Sequence, residues 1–215
     1  MLGYIISGEY DISVKKYEIK NFDILHKTDL NIFVIENNKL LYKNDIIHNA
    51  SYHRHIQVLE WFKNSGYEFK YSEQAINCAS GNGHIQVLEW FKNSGYEFKY
   101  NKWAINYASE CGHIQVLEWF KNSGYEFKYD EYAIYWASKN RHIQVLEWFK
   151  NFGYKLKYTN MAIYYAYLTR RFQVLKFYSN NINIKKLIKW SNNFNFIKTI
   201  KFKTLHKYLK GYQKN

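Results

Sequence analysis

The string HIQVLEWFKNSGYEFKY at residues 84–100 identifies the architecture, because the chain repeats it at a fixed interval. The same seventeen residues stand at 55–71 and at 113–129, and a copy with three changes, HIQVLEWFKNFGYKLKY, stands at 142–158. The spacing is 29 residues throughout. A fixed period of this size is the signature of a repeat architecture, in which each unit is one supersecondary element that packs on its neighbours.

Weaker copies extend the array in both directions. Residues 171–177 keep the apolar pattern one period after the fourth copy, and four positions fall one period before the first copy, namely His26, Leu30, Phe33 and Tyr42. We therefore expect degenerate terminal caps. The predicted organisation is an N-terminal segment with a degenerate capping repeat at 1–43, repeats at 44–180, and a basic degenerate cap at 181–215.

Each repeat reads as two short helices, which we call helix A and helix B. Helix A is expected to start after a column of residues that favour the N-cap position, Ser72, Asn101, Asp130 and Thr159. Helix B starts near His84, turns Val87, Leu88 and Phe91 inward, and stops before Gly95. The prediction is an all-α fold, a solenoid of about six or seven stacked antiparallel helix pairs.

Residues 104–120, AINYASECGHIQVLEWF, resemble the ankyrin-repeat pattern in which a Gly-His step precedes helix B. The near-identical copies are similar to divergent ankyrin-repeat proteins of giant amoebal DNA viruses of the mimivirus type. This resemblance implies a non-enzymatic scaffold that binds a protein of the infected host cell, in the host cytoplasm. Two features depart from the family pattern. The Thr-Pro-Leu-His box is replaced by sequences such as Trp103–Asn106, and the period of 29 is shorter than about 33.

Composition narrows the class of protein further. The chain has 215 residues, of which 47% are hydrophobic and 20% aromatic. These fractions argue against an intrinsically disordered protein. Its two cysteines cannot form a disulfide framework, and no apolar run is long enough for a signal peptide or a membrane span. We expect an intracellular, soluble monomer that is not secreted.

The repeats differ from one another chiefly in helix A and in the turn after it, so any specificity should lie there. In three successive repeats the flank of helix A carries large side chains at i and i+4 spacing, which are Trp103 and Tyr107, Tyr132 and Trp136, and Met161 and Tyr165. One interpretation is a partner-binding surface on the concave face, because such residues are typical binding anchors. The alternative is that they fill the gap between stacked repeats.

The charge distribution favours a second function. Residues 148–215 hold 15 basic side chains and no acidic one, whereas residues 1–147 have a net charge of −2. Two lysine stripes stand out if the segment is helical, Lys185, Lys186 and Lys189, and Lys203, Lys207 and Lys210. Together with interleaved aromatics they would suit a nucleic acid or another polyanion. The competing explanation is codon bias acting on a soluble cap.

Enzymatic and metal-dependent functions have little support. No phosphate-binding loop, nucleophile elbow or zinc-binding HExxH motif occurs in the sequence. Equivalent histidines such as His84 and His113 would lie about 8–10 Å apart in stacked helices, too far to share an ion. We expect a structural role for them, with a ring nitrogen bonded to the backbone near the start of helix B. We also expect the recurring helix B glutamates to be solvated, and we predict no catalytic residue, no metal site and no cofactor.

Overall fold

The computed structural model describes residues 3–7, 10–14, 33–36, 39–42, 46–66 and 69–181. The chain divides into two compact units, Met1–Ala104 and Ile105–Asn215, and the division falls within a helix. Each unit is described by itself below. The lysines of both predicted C-terminal stripes lie outside the described residues.

Two β-hairpins precede the helices in the first unit. Strand β1 (Gly3–Ser7) pairs antiparallel with β2 (Tyr10–Val14), and β3 (Phe33–Glu36) pairs antiparallel with β4 (Lys39–Tyr42). We expected a degenerate helical repeat through Phe33 and Tyr42, and the structure instead has both positions opposite each other in strands. The sequence FVIE–NN–KLLY explains the difference, because strand-forming residues flank two asparagines, a residue type favoured in tight hairpins.

Ten helices follow in the described residues, arranged as five helix pairs. The A helices are α1 (Ile46–Tyr52), α3 (Glu73–Gly81), α5 (Lys102–Cys111), α7 (Glu131–Lys139) and α9 (Asn160–Leu168). The B helices are α2 (Ile56–Asn64), α4 (Ile85–Asn93), α6 (Ile114–Asn122), α8 (Ile143–Asn151) and α10 (Phe172–Asn181). The predicted all-α array of helix pairs is confirmed here.

The predicted cap column starts helix A in four repeats. The side chains of Ser72, Asn101 and Asp130 accept hydrogen bonds from the backbone N–H two residues later, at 3.3, 3.0 and 3.0 Å. The Thr159 hydroxyl accepts from the N–H of Ala162 at 3.3 Å. Each cap satisfies a backbone donor that the first helical turn leaves unpaired, which is why four different residue types serve at one position.

The core consists of the apolar positions predicted for both helices. In the first unit Ala75, Ile76 and Ala79 of α3 and Val87, Leu88 and Phe91 of α4 have no exposed surface. The equivalent positions of α7 and α8 in the second unit are also fully buried. Because helices of nine residues are marginal alone, this shared interior between stacked pairs stabilises them.

Candidate interaction surface

The predicted helix A side chains lie on α5, α7 and α9, partly open to solvent. Tyr132 and Met161 are exposed by 42% and 54% of their surfaces, whereas Trp103, Tyr107, Trp136 and Tyr165 are half-buried. Trp103 belongs to the first unit and the other five to the second. We call those five residues, Tyr107, Tyr132, Trp136, Met161 and Tyr165, the aromatic surface.

Trp136 is the centre of this surface. Its ring stacks on Tyr107, which belongs to the preceding repeat, with centroids 6.0 Å apart and planes at 15°. Tyr132, one turn earlier on α7, contacts it with a centroid distance of 5.2 Å. Trp136 therefore fills space between two repeats and also retains solvent-exposed surface.

Tyr165 connects the aromatic surface to positive charge. Its ring contacts Tyr135 edge-on, with centroids 6.4 Å apart. The Lys139 Nζ and the Arg171 Cζ each lie 5.9 Å from the Tyr165 centroid, within the range of a cation–π interaction. Two cations from different repeats therefore flank one tyrosine.

Sequence reasoning missed two sets of hydrogen bonds between repeats. The indole N–H of Trp90 donates to Glu60, and that of Trp148 donates to Glu118, so the glutamates predicted to be solvated accept from the next repeat. Each pair is 30 residues apart. The sequence did contain a signal for this contact, because glutamate and tryptophan are adjacent in every copy. Stacking brings the glutamate of one copy to the tryptophan of the next.

The second set involves buried amides of helix A. Asn77 and Asn106 are fully buried, and each donates to the cap side chain of the following repeat, Asn101 at 3.0 Å and Asp130 at 2.7 Å. A buried polar group is stable only with such a partner. The cap side chain, Asn101 or Asp130, therefore caps its own helix A and also accepts a hydrogen bond from the preceding helix A.

The histidine column has a structural role that differs in detail from our expectation. No histidine side chain caps its own helix B in the four repeats from His55 to His142. Instead the His84 Nε2 donates to the backbone carbonyl of Tyr52, at the end of the preceding helix A, at 2.9 Å. The His142 ring packs over Gly112, where a side chain would collide with it.

The cysteines do not form an activated nucleophile. The Cys78 Sγ lies 3.9 Å from the Nε2 of His48, but burial raises the pKa of the thiol and so favours its unreactive neutral form. Burial and the carboxylate of Glu110 likewise raise the pKa of Cys111. In the part of the chain that the structure describes, no three metal-ligating side chains cluster. Nor is any helix in that part long and apolar enough to cross a bilayer.

Comparison with known families supports the repeat class. A family model described as "Ankyrin repeats (many copies)" matches residues 47–91, which contain α2, α3 and most of α1 and α4. No characterised protein and no solved structure matches the chain. The helical part of the chain is thus an ankyrin-like array of helix pairs, and ankyrin repeats generally mediate protein–protein interaction.

Proposed function

We propose that the chain is a non-enzymatic scaffold that binds a partner protein through the aromatic surface. The stack of Tyr107, Trp136 and Tyr132 carries this proposal. Because neighbouring rings already hold Trp136, a partner would bury a large apolar area with little additional loss of side-chain entropy. Residues of this type, partly buried at the centre of a patch, dominate the affinity of measured interfaces.

The surroundings of Trp136 suit a protein partner. Met161, which is equivalent to Tyr132 on the next helix A, adds an exposed, flexible apolar side chain that can adapt to a partner's shape. The backbone beneath is held by the cap of Asp130 and its bond to Asn106. An anchor on a rigid helix binds with less reorganisation than one on a loop.

The test is a selection of peptides from a displayed library on the full chain, followed by affinity measurements with variants. We expect Trp136→Ala to weaken the selected peptides at least tenfold, the effect of losing a hot-spot residue of about 2 kcal/mol. Phe152→Ala is the matched control, because Phe152 is also a large, solvent-accessible aromatic residue of the second unit, 45% exposed, but lies at the end of helix B. Equal losses for both variants would contradict the proposal.

Folding must be measured alongside. The melting temperature of Trp136→Ala should stay within a few degrees of the wild type, because the ring is only half-buried. A large drop in melting temperature together with unchanged peptide affinity would assign Trp136 to packing between repeats.

We further propose that the partner is a host-cell protein and that the chain acts in the host cytoplasm as a monomer. The similarity of the near-identical copies to ankyrin-repeat proteins of giant amoebal DNA viruses supports this. Cross-linking from a photoreactive residue at position 132, compared with one at position 152, would test it in host lysate. Cross-links of equal yield to the same proteins from both positions would reject a specific partner at the aromatic surface.

A second candidate function is binding of a nucleic acid or another polyanion through the C-terminal third. The supporting observation is the net charge of +15 over residues 148–215. Replacing the six stripe lysines by glutamine should abolish binding of labelled duplex DNA and flatten its salt dependence, because released counterions drive such binding. Unchanged DNA affinity in that variant would remove this candidate.

A further inference from the structure

The arginines of this chain are confined to one structural position. The sequence has 27 lysines and only four arginines, Arg54, Arg141, Arg170 and Arg171. All four lie in the turn between helix A and helix B, and three of them follow α7 or α9 in the second unit. A chain that uses lysine for most positive charges thus has arginine only at this turn. Arginine differs from lysine in its planar fork of donors, which suits carboxylate and phosphate groups.

Three of these arginines occupy strained backbone. The turn position has positive φ in five repeats, and it is glycine at 83 and 112 but arginine at 54, 141 and 170, with φ of 67° at Arg141 and 54° at Arg170. A left-handed conformation is unfavourable for residues that have a Cβ. Glycine would adopt this conformation without strain. A residue that keeps the strain is typical of a functional position.

Lys139 and Arg171 lie at the same ring, each 5.9 Å from the Tyr165 centroid, and the charge of Arg141 acts on Arg171. Burial and the nearby positive charge of Arg141 lower the pKa of Arg171. The Arg171 Nε donates to the Thr169 hydroxyl at 2.8 Å, which orients the guanidinium. Within the described residues, neither arginine nor Lys139 forms an ion pair with an acidic side chain. Like charges that act on one another are stabilised when an anion binds between them.

This cluster adjoins the aromatic surface. Lys139 and Arg171 flank the Tyr165 ring, and Lys139 follows Trp136 by three residues on α7. Glu131 directly precedes Tyr132 on α7 and Glu110 follows Tyr107 by three residues on α5, so these carboxylates would repel a continuous phosphate backbone. The arrangement therefore suits a short segment with an apolar anchor and a few local negative charges better than it suits a nucleic acid.

We propose that Lys139, Arg141 and Arg171 form an oxyanion-binding site that selects an acidic protein segment, whose carboxylates bind the two guanidinium groups while its apolar side chains contact the aromatic surface. This inference rests on the proposed function and names the chemistry of the partner. Arg170, the next exposed cation, extends the same site along the turn.

The test uses fluorescence anisotropy of a labelled peptide that has a central Leu-Trp pair flanked by glutamates, with the full chain at physiological salt. Its counterpart with glutamines and a short duplex DNA are the comparison probes. The acidic peptide should bind about tenfold more tightly than the glutamine peptide, and the double variant Arg141→Gln, Arg171→Gln should remove that preference. Arg54→Gln is the matched control, because Arg54 has the same left-handed turn, with φ of 58°, in the first unit. It should change the affinity less than about twofold.

A second variant separates binding from folding. Arg141→Gly should raise the melting temperature by about 2–4 °C, because it relieves left-handed strain, and should nevertheless weaken the acidic peptide. Arg141→Lys should bind less tightly than the wild type although the charge is kept, because the fork is lost. A lower melting temperature for Arg141→Gly, or equal affinity of all three proteins for the acidic peptide, would overturn the inference.

The remaining outcomes distinguish this inference from the proposed function. If both peptides bind equally and Trp136→Ala weakens both, the arginine site is rejected and the aromatic surface stands. If the arginine variants weaken the acidic peptide but Trp136→Ala does not, the oxyanion site stands and the proposed function fails. No measurable binding of the acidic peptide, or tighter binding of the duplex DNA that depends on the same arginines, overturns the inference.

Discussion

The buried side-chain amide of Asn106 donates to the Asp130 carboxylate at 2.7 Å, while the Asp130 backbone N–H donates to the side-chain Oδ1 of Asn106 at 3.4 Å. One reciprocal pair thus joins the interior of one helix A to the cap of the next. The same pair occurs between Asn77 and Asn101 in the first unit. This contact links the N-terminus of each helix A to its neighbour and sets the position from which the aromatic surface projects.

Removing this amide should destabilise the second unit. We expect Asn106→Ala to lower the free energy of unfolding by about 1–3 kcal/mol, because it leaves a cap carboxylate and a backbone donor with fewer partners. Urea denaturation followed by circular dichroism measures the change. The control is Asn122→Ala at the exposed end of α6, which should stay within about 0.5 kcal/mol of the wild type. Similar losses of unfolding free energy for both variants would show that the Asn106–Asp130 pair makes no specific contribution to stability.

Two glycines with the same backbone conformation should respond differently to alanine. Gly112 and Gly124 have φ of +78° and +86°, but a Cβ at Gly112 would lie 2.6 Å from the His142 Nδ1, whereas a Cβ at Gly124 meets nothing within 4 Å. Gly124→Ala should cost about 1–2 kcal/mol from backbone strain alone. Gly112→Ala should cost about 1–3 kcal/mol more, because the histidine ring must move. Equal unfolding free energies for the two variants would contradict the packing of His142 over Gly112.

The two cysteines allow a test of local electrostatics within one chain. The thiolate is the form that reacts with alkylating agents, so a raised pKa means slow reaction near neutral pH. The pKa of Cys111 is raised by burial and also by Glu110, whereas that of Cys78 is raised by burial. Glu110→Gln should therefore speed iodoacetamide labelling of Cys111 a few-fold and leave Cys78 unchanged, as read by mass spectrometry. An equal increase at both cysteines would indicate local unfolding instead.

Alkaline pH should weaken the second unit through Tyr178. Burial raises the pKa of Tyr178 above its ordinary value of 10, while its hydroxyl shares a hydrogen bond of 2.6 Å with Ser138. The folded state therefore keeps the proton that the unfolded chain loses, so this stabilisation is full below pH 10 and falls as pH rises above it.

The variant Tyr178→Phe cannot ionise at this position, and it should lose about 1 kcal/mol near neutral pH with the hydrogen bond to Ser138. Its unfolding free energy should then fall less steeply than that of the wild type above pH 10. Melting curves across that range measure both slopes. Parallel slopes for the two proteins would show that Tyr178 does not titrate differently on folding.

The repeat structure was predictable because its determinants are local. The cap column from Ser72 to Thr159, the apolar positions of both helices and the glycine turns each depend on residues within a few positions of one another. Their recurrence every 29 residues made the pattern unambiguous. Where recurrence faded, before residue 44, the extrapolated helical register did not match the hairpin of β3 and β4.

From residue 44 onward, the positions of the helices and of their core residues follow from the sequence, because hydrophobic period and capping are properties of neighbouring positions. The contacts between repeats, such as Trp148 with Glu118, Trp136 with Tyr107, and Arg171 with Tyr165, are seen only in the tertiary structure. Those contacts depend on the offset and rotation between stacked helix pairs. Because the repeats are nearly identical in sequence, they contain no differences from which the offset between stacked pairs could be inferred.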